Sequence, residues 1–144
     1  MVVEIRNCLE TDVNEVYNLI CELKDKKFDF TKFKEVYESK IGDEKNYFIV
    51  GLENNNIVGF LSLVIDFQLH HIDKVATVEE LIVSSKYRNN GVGKMLLENA
   101  VNYAKESKCD VIELTSGFSR ESAHRFYEKN GFIKGSYKFK KNLK

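Results

Sequence analysis

The chain has 144 residues, the length of one ordinary domain, and a domain of this size buries roughly 70% of its unfolded surface. With 43% hydrophobic and 31% charged residues it reads as a soluble, cytoplasmic globular protein; its 22 basic against 22 acidic residues argue against a nucleic-acid binder, which carries a basic excess. The longest apolar run, around Ile57–Ile65, is far too short to span a membrane, and Met1-Val2-Val3-Glu4 has neither the basic nor the apolar region of a signal peptide.

Val2–Cys8 alternates apolar and polar residues and reads as a strand. Thr11 is read as the cap of a helix from Asp12 to about Leu23, with Val13, Val16, Tyr17 and Ile20 on one face. A polar loop, Lys24–Asp29, leads to a short helix from Thr31 to about Ser39. Asn46–Glu53 and Ile57–Gln68 are strands; Asn54-Asn55-Asn56 between them signals a hairpin, because asparagine tolerates the left-handed conformation. A loop holding His70 and His71 precedes the next strand, Val75–Val83. Gly91–Ser107 is the clearest helix, with Val92, Met95, Leu96 and Tyr103 on its apolar stripe. Asp110–Thr115 is a strand, Arg120–Lys129 a helix closed by Asn130-Gly131, and Phe132–Phe139 a last strand. The order β-α-α-β-β-β-α-β-α-β predicts a mixed, mostly antiparallel α/β sheet with helices on both faces, in a single domain over residues 1–144.

Cys8, Cys21 and Cys109 are scattered and form no CxxC pair, so they read as free buried thiols in a reducing compartment. His70 and His71 lack further ligands at metal-site spacing and read as surface histidines, so no metal is expected. The segment that points to chemistry is Arg88-Asn89-Asn90-Gly91-Val92-Gly93-Lys94, between a strand and a helix. The first N–H groups of a helix have no intrahelical partners and carry the positive end of its dipole, so such a turn suits a phosphate. The P-loop pattern GxxxxGK[ST] is absent, and a dinucleotide GxGxxG would need glycine where Leu96 stands. A strand-to-helix turn without a ligand remains the alternative on this pattern alone.

Three segments together resemble the GNAT superfamily of N-acetyltransferases. Arg88-Asn89-Asn90-Gly91-Val92-Gly93 fits its Arg/Gln-x-x-Gly-x-Gly/Ala loop; Glu79-Glu80-Leu81-Ile82-Val83 is similar to its fourth strand; and Ala123–Phe132 is similar to its late helix, with Tyr127 and a closing Gly131-Phe132. The resemblance implies acetyl-CoA as co-substrate. It implies that the pyrophosphate lies on the backbone of Asn89, Asn90, Gly91, Val92, Gly93 and Lys94 with Arg88 nearby, and that the pantetheine runs along Leu81, Ile82 and Val83 as an added strand, beside a bulge near Glu79–Leu81. Where the family often has Asn, this chain has Arg120, so that coenzyme contact passes to Arg120 or Ser119; Phe126 is a core aromatic grouped with the coenzyme contacts.

An alkyl ammonium has a pKa near 10, so roughly one molecule in a thousand is free amine at pH 7. Glu79 and Glu80 are the carboxylates that can take the proton, directly or through water. As neighbours on a strand they are expected to point to opposite faces, with Glu79 the preferred base. The Leu81 N–H is expected to meet the oxyanion, and Tyr127 to protonate the departing thiolate, by resemblance. The implied function is transfer of acetyl to a primary amine by direct attack in a ternary complex, the acceptor a small cationic amine. Acetylation of a protein N-terminus or lysine is the second enzymatic reading, an acetyl-CoA-binding sensor the non-enzymatic one. A homodimer is left open; nucleic-acid and membrane partners are not expected.

Overall fold

In the computed structural model, which describes residues 2–118 and 120–144, the alternating N-terminal segment forms strand β1 (Val3–Asn7). A single 3-10 turn, Glu10–Asp12, then leads into helix α1 (Val13–Lys24). Asp12, not Thr11, organises this entry. Its carboxylate accepts the Leu9 N–H at 2.8 Å and the two Arg6 guanidinium nitrogens at 2.7 and 3.1 Å. Burial of Asp12 favours the neutral acid, but the Arg6 and Leu9 hydrogen bonds outweigh it and hold the carboxyl below the usual aspartate range. Helix α2 (Phe30–Ile41) starts before Thr31 because Asp29 caps it, accepting the Lys32 N–H at 3.2 Å.

Strands β2 (Asn46–Glu53), β3 (Asn56–Gln68) and β4 (Asp73–Val83) continue the sheet antiparallel, with β1 on β2. Asn54 and Asn55 take φ of 51° and 68° in the β2–β3 turn, the left-handed geometry that tight hairpins need. Phe48, Val50, Leu52, Phe60 and Ile82 form one face of the sheet, closed over by Val13, Val16 and Leu19 of α1 and Tyr37 of α2. Helix α3 (Val92–Glu106) covers the other face. It comes close because Gly51 and Gly59 sit opposite each other: an added Cβ would lie 2.8 Å from Val92 Cγ1 at Gly51 and 3.0 Å from Leu96 Cδ1 at Gly59. This contact seats the first turn of α3 on the sheet.

Strand β5 (Val111–Leu114) follows β4 in the five-stranded order β1-β2-β3-β4-β5. The mixed, mostly antiparallel sheet with helices on both faces is therefore as expected. The chain divides into two compact units, residues 1–113 and 114–144; the second holds helix α4 (Glu121–Lys129). One element is corrected. Phe132–Phe139 forms no strand among the described residues. Its alternation leaves Ile133 91% and Phe139 93% exposed. Alternation marks which side chains a strand would bury, but a strand also needs a neighbour for its N–H and C=O groups, and this segment joins no ladder. The cysteines are free, as read from their spacing, but only Cys8 is buried, Cys21 and Cys109 being half-buried; burial pushes the Cys8 thiol up to about 12, far from a reactive thiolate at neutral pH.

Candidate active site

Beyond Val83 the chain makes a short 3-10 turn, Ser85–Tyr87, and then two left-handed steps. Asn89 has φ 70°, and Gly91, at φ 83°, is the N-cap of α3. No side chain caps this helix; the Met95 N–H reaches Gly91 O at 3.1 Å, one turn in. The N–H groups of Val92, Gly93 and Lys94 precede that first helical bond, so the positive end of the helix is open. Among the described residues, a Cβ added at Gly91 would meet nothing within 4 Å, which leaves room above the turn. Val92, 1% exposed, anchors the turn from beneath. This is an anion cradle made of main chain.

Arg88 is less free than its motif suggests. Its Nε donates to Val83 O at 3.0 Å and its terminal nitrogen to Glu22 of α1 at 3.1 Å, while the same Glu22 oxygen accepts the Ser85 N–H at 3.0 Å. Arg88 thus braces the exit of β4 against α1, its charge shared with Glu22. Lys94 keeps its charge in solvent, 3.9 Å from Glu98 one turn on.

The β3–β4 register passes from Ser62↔Glu80 to Leu63↔Val78, so Glu79 is an extra residue with no partner across the ladder. This is the bulge expected near Glu79–Leu81. It overturns the expectation that Glu79 and Glu80 point to opposite faces. Glu79 lies 3.3 Å from Lys40 of α2. Glu80 bonds to the hydroxyl of Ser62, two residues from Phe60 on the α1/α2 face. Strict alternation holds only while every residue is paired, and the inserted residue resets it, so both carboxylates reach the same side of the sheet.

Leu81 pairs with Leu61, Ile82 with Phe60 and Val83 with Gly59. Ile82 is buried in the α1/α2 core. The other edge of this run is short of a partner. Asp110 N–H bonds to Lys74 O at 2.9 Å, so β5 starts beside the start of β4. Four residues of strand cover roughly 13 Å, which leaves the end of β4 beyond the reach of β5. An extended ligand can add to that edge through main-chain bonds.

Arg120, Phe126 and Tyr127 belong to the second unit. Arg120 donates its N–H to Gly117 O at 3.2 Å and accepts from the His124 N–H at 3.0 Å, opening α4. The helix closes on Gly131, φ 91°, with Gly131 N–H on Glu128 O at 3.1 Å and Phe132 N–H on Tyr127 O at 3.0 Å: the paired bonds of a Schellman end. Tyr127 packs edge-on to Phe126 and Phe132, at centroid distances of 5.5 and 6.0 Å. Burial pushes its phenol above the usual range, with the Arg120 charge opposing. Ser119 lies outside the described residues.

Lys40, Ser62 and the Glu22–Arg88 link were not singled out from the sequence. Ser62 leaves a trace there, a lone hydroxyl inside the apolar run Val58–Ile65; Lys40 leaves none among so many lysines. His71 lies 3.5 Å from Asp110 and 3.9 Å from Glu113, but among the described residues no group of three metal-ligating side chains is assembled. Two clefts, of about 340 and 560 Å³, flank the Tyr47–Tyr103 stack, and neither is lined by any residue of Glu79–Lys94.

An open helix start, a strand edge short of a partner and a carboxylate-bearing bulge lie in one strand–turn–helix connection, an arrangement suited to an extended, phosphate-bearing ligand. Residues 13–132 match the family model of the Acetyltransferase (GNAT) family, and the chain belongs to that family. It is similar to an aminoalkylphosphonate N-acetyltransferase of Salmonella typhimurium, 32% identical over 142 residues, 99% of this chain and 92% of that one. A crystal structure described as a transcriptional regulator from Bacillus halodurans C-125 matches with a TM-score of 0.91 at 26% identity, over 99% and 100% of the two chains. Glucosamine-6-phosphate N-acetyltransferase from Arabidopsis thaliana shares the fold with a TM-score of 0.84 at 20% identity, over the whole of both chains. The chain is thus an acetyl-transferring enzyme, an N-acetyltransferase of a family whose co-substrate is acetyl-CoA. The open helix start and free strand edge fit that co-substrate, which presents a pyrophosphate and an extended amide-bearing arm. No described helix is long and apolar enough to cross a membrane.

Proposed function

We propose that residues 1–144 act as one acetyltransferase domain that moves the acetyl group of acetyl-CoA onto the primary amine of a small molecule, by direct attack in a ternary complex. The bulge at Glu79 carries this reading. It directs two carboxylates to one side of β4, beside an edge open to an extended ligand. A carboxylate there takes a proton from the acceptor ammonium; the free amine attacks the thioester carbonyl, the C–S bond breaks, the thiolate leaves with a proton from Tyr127, and the second proton shed by the nitrogen as it becomes an amide restores Tyr127. The pyrophosphate sits on the main chain of Asn89 to Lys94, and the pantetheine runs along Leu81–Val83. The role of Tyr127 rests on the motif it shares with the family. The acceptor class draws support from the Salmonella relative, whose name specifies an aminoalkylphosphonate and whose similarity spans nearly all of both chains.

Thiol release from acetyl-CoA is the test, across aminoalkylphosphonates, polyamines, aminoglycosides and a peptide with a free N-terminus. Turnover concentrated on a small amine is the expected result. Turnover of the peptide alone moves the assignment to protein acetylation; coenzyme binding without thiol release with any amine makes the chain a sensor. With the best amine, Tyr127→Phe lowers kcat by about 10²–10⁴-fold at similar coenzyme affinity, the range for a general acid. A variant with wild-type kcat returns Tyr127 to a packing role.

A further inference from the structure

Glu79 and Glu80 differ in how they are held. Glu79 is exposed and its partner is Lys40, a flexible side chain from another element, at 3.3 Å. Such an exposed pair neutralises a carboxylate without fixing its direction. Glu80 is half-buried and gripped twice by one residue. The Ser62 hydroxyl accepts the Glu80 N–H at 3.0 Å and donates to Glu80 Oε1. Ser62 is wholly buried, one of two buried polar side chains among the described residues. A buried hydroxyl in an apolar strand is costly unless its bonds are made, and both of these are made to the same glutamate. The bulge therefore has a built-in clamp. Ser62 binds the Glu80 N–H where the ladder is interrupted, and turns one carboxylate oxygen toward itself, leaving Oε2 as the free acceptor.

We infer that Ser62 is the positioning residue that makes Glu80, rather than Glu79, the carboxylate relaying the acceptor's proton. The inference rests on the N-acetyltransferase reading above and names its base. One proton passes from the acceptor ammonium to Glu80, directly or through water, before the amine attacks; the carboxylic acid then returns it to solvent, and the enzyme is unchanged.

A double-mutant cycle decides this, read as kcat/KM near neutral pH. Glu80→Gln is expected to lose about 10²–10⁴-fold, and Glu79→Gln no more than about fivefold, the scale of an exposed ion pair. Ser62→Ala is expected to lose roughly 10–100-fold, as for one hydrogen bond to a charged group, and the loss should fall on kcat with the KM for acetyl-CoA unchanged. The Ser62→Ala loss should persist in the Glu79→Gln background and vanish in the Glu80→Gln background. A merely structural serine would give equal losses in both backgrounds, or a loss in coenzyme KM rather than in kcat, and either result overturns the proposal. Thermal melting and acetyl-CoA titration check that each variant is folded. Should Ser62→Ala fail to fold, the two glutamine variants decide alone: a larger defect in Glu79→Gln overturns the proposal. A wild-type chain that acetylates no amine defeats the underlying reading; one that does, with the cycle going the wrong way, defeats this proposal only.

Discussion

The turn at Gly91 and the bulge at Glu79 belong to one strand–turn–helix connection, yet they are made of different material. The turn presents main-chain N–H groups, and all it needs is a positive φ at Gly91 and a seat for Val92. The bulge presents side chains, and their partners come from afar: Ser62, 18 residues away in sequence, turns Glu80, and Lys40, 39 residues away, faces Glu79. A main-chain site depends on what is missing, a Cβ above the turn. A side-chain site depends on who the distant partners are. The first is therefore fragile at its glycines and tolerant elsewhere, while the second can be altered from another element without touching the strand.

Three substitutions sharpen that contrast. Gly91→Val has the largest expected effect. A left-handed conformation costs an ordinary residue about 1–2 kcal/mol and a β-branched one more, and the new methyls fill the open space above the helix. Calorimetric titration should show acetyl-CoA affinity weaker by about tenfold or more while the chain stays folded; unchanged affinity would remove the turn from the coenzyme site. Next comes Gly51→Ala, on β2 beneath the first turn of α3. Its Cβ would stand 2.8 Å from Val92 Cγ1, so α3 must shift, at a cost of about 1–3 kcal/mol. Denaturant unfolding and titration together should show lower stability and weaker coenzyme binding. Full stability would mean that Val92 turns aside and that close packing does not seat the turn. Smallest is Lys40→Met at the bulge. The pair with Glu79 is exposed, so its loss should cost less than about 1 kcal/mol and the difference should fade in high salt. A larger, salt-independent loss would show that Lys40 holds the bulge in place.

Legibility follows the same line. The glycine turn is readable because Gly91 announces a backbone requirement at a single position. So are the Asn54-Asn55 hairpin and the Gly131 helix end, whose bonds close within five residues along the chain. The faces of Glu79 and Glu80 were misread because period-2 alternation assumes an unbroken ladder, and only the register against Leu63 reveals the extra residue. Arg88 was legible as a motif residue but not as a brace, since Glu22 lies 66 residues away.

By itself, then, the sequence determined the order and type of nearly all the elements, the layered α/β class and the glycine-bearing turn that opens α3. Each of these is decided by local φ/ψ preference and by apolar periodicity over one or two turns of chain. The tertiary structure alone decided that Asp12 rather than Thr11 sets the first helix, through Arg6 on β1. It decided that both carboxylates share a face, and that Phe132–Phe139 makes no strand despite its pattern. These outcomes depend on partners far away in sequence: a guanidinium for a buried carboxylate, a register for a bulge, a neighbouring edge for a strand. A local pattern can state the need for such a partner, but whether the partner arrives is settled by packing.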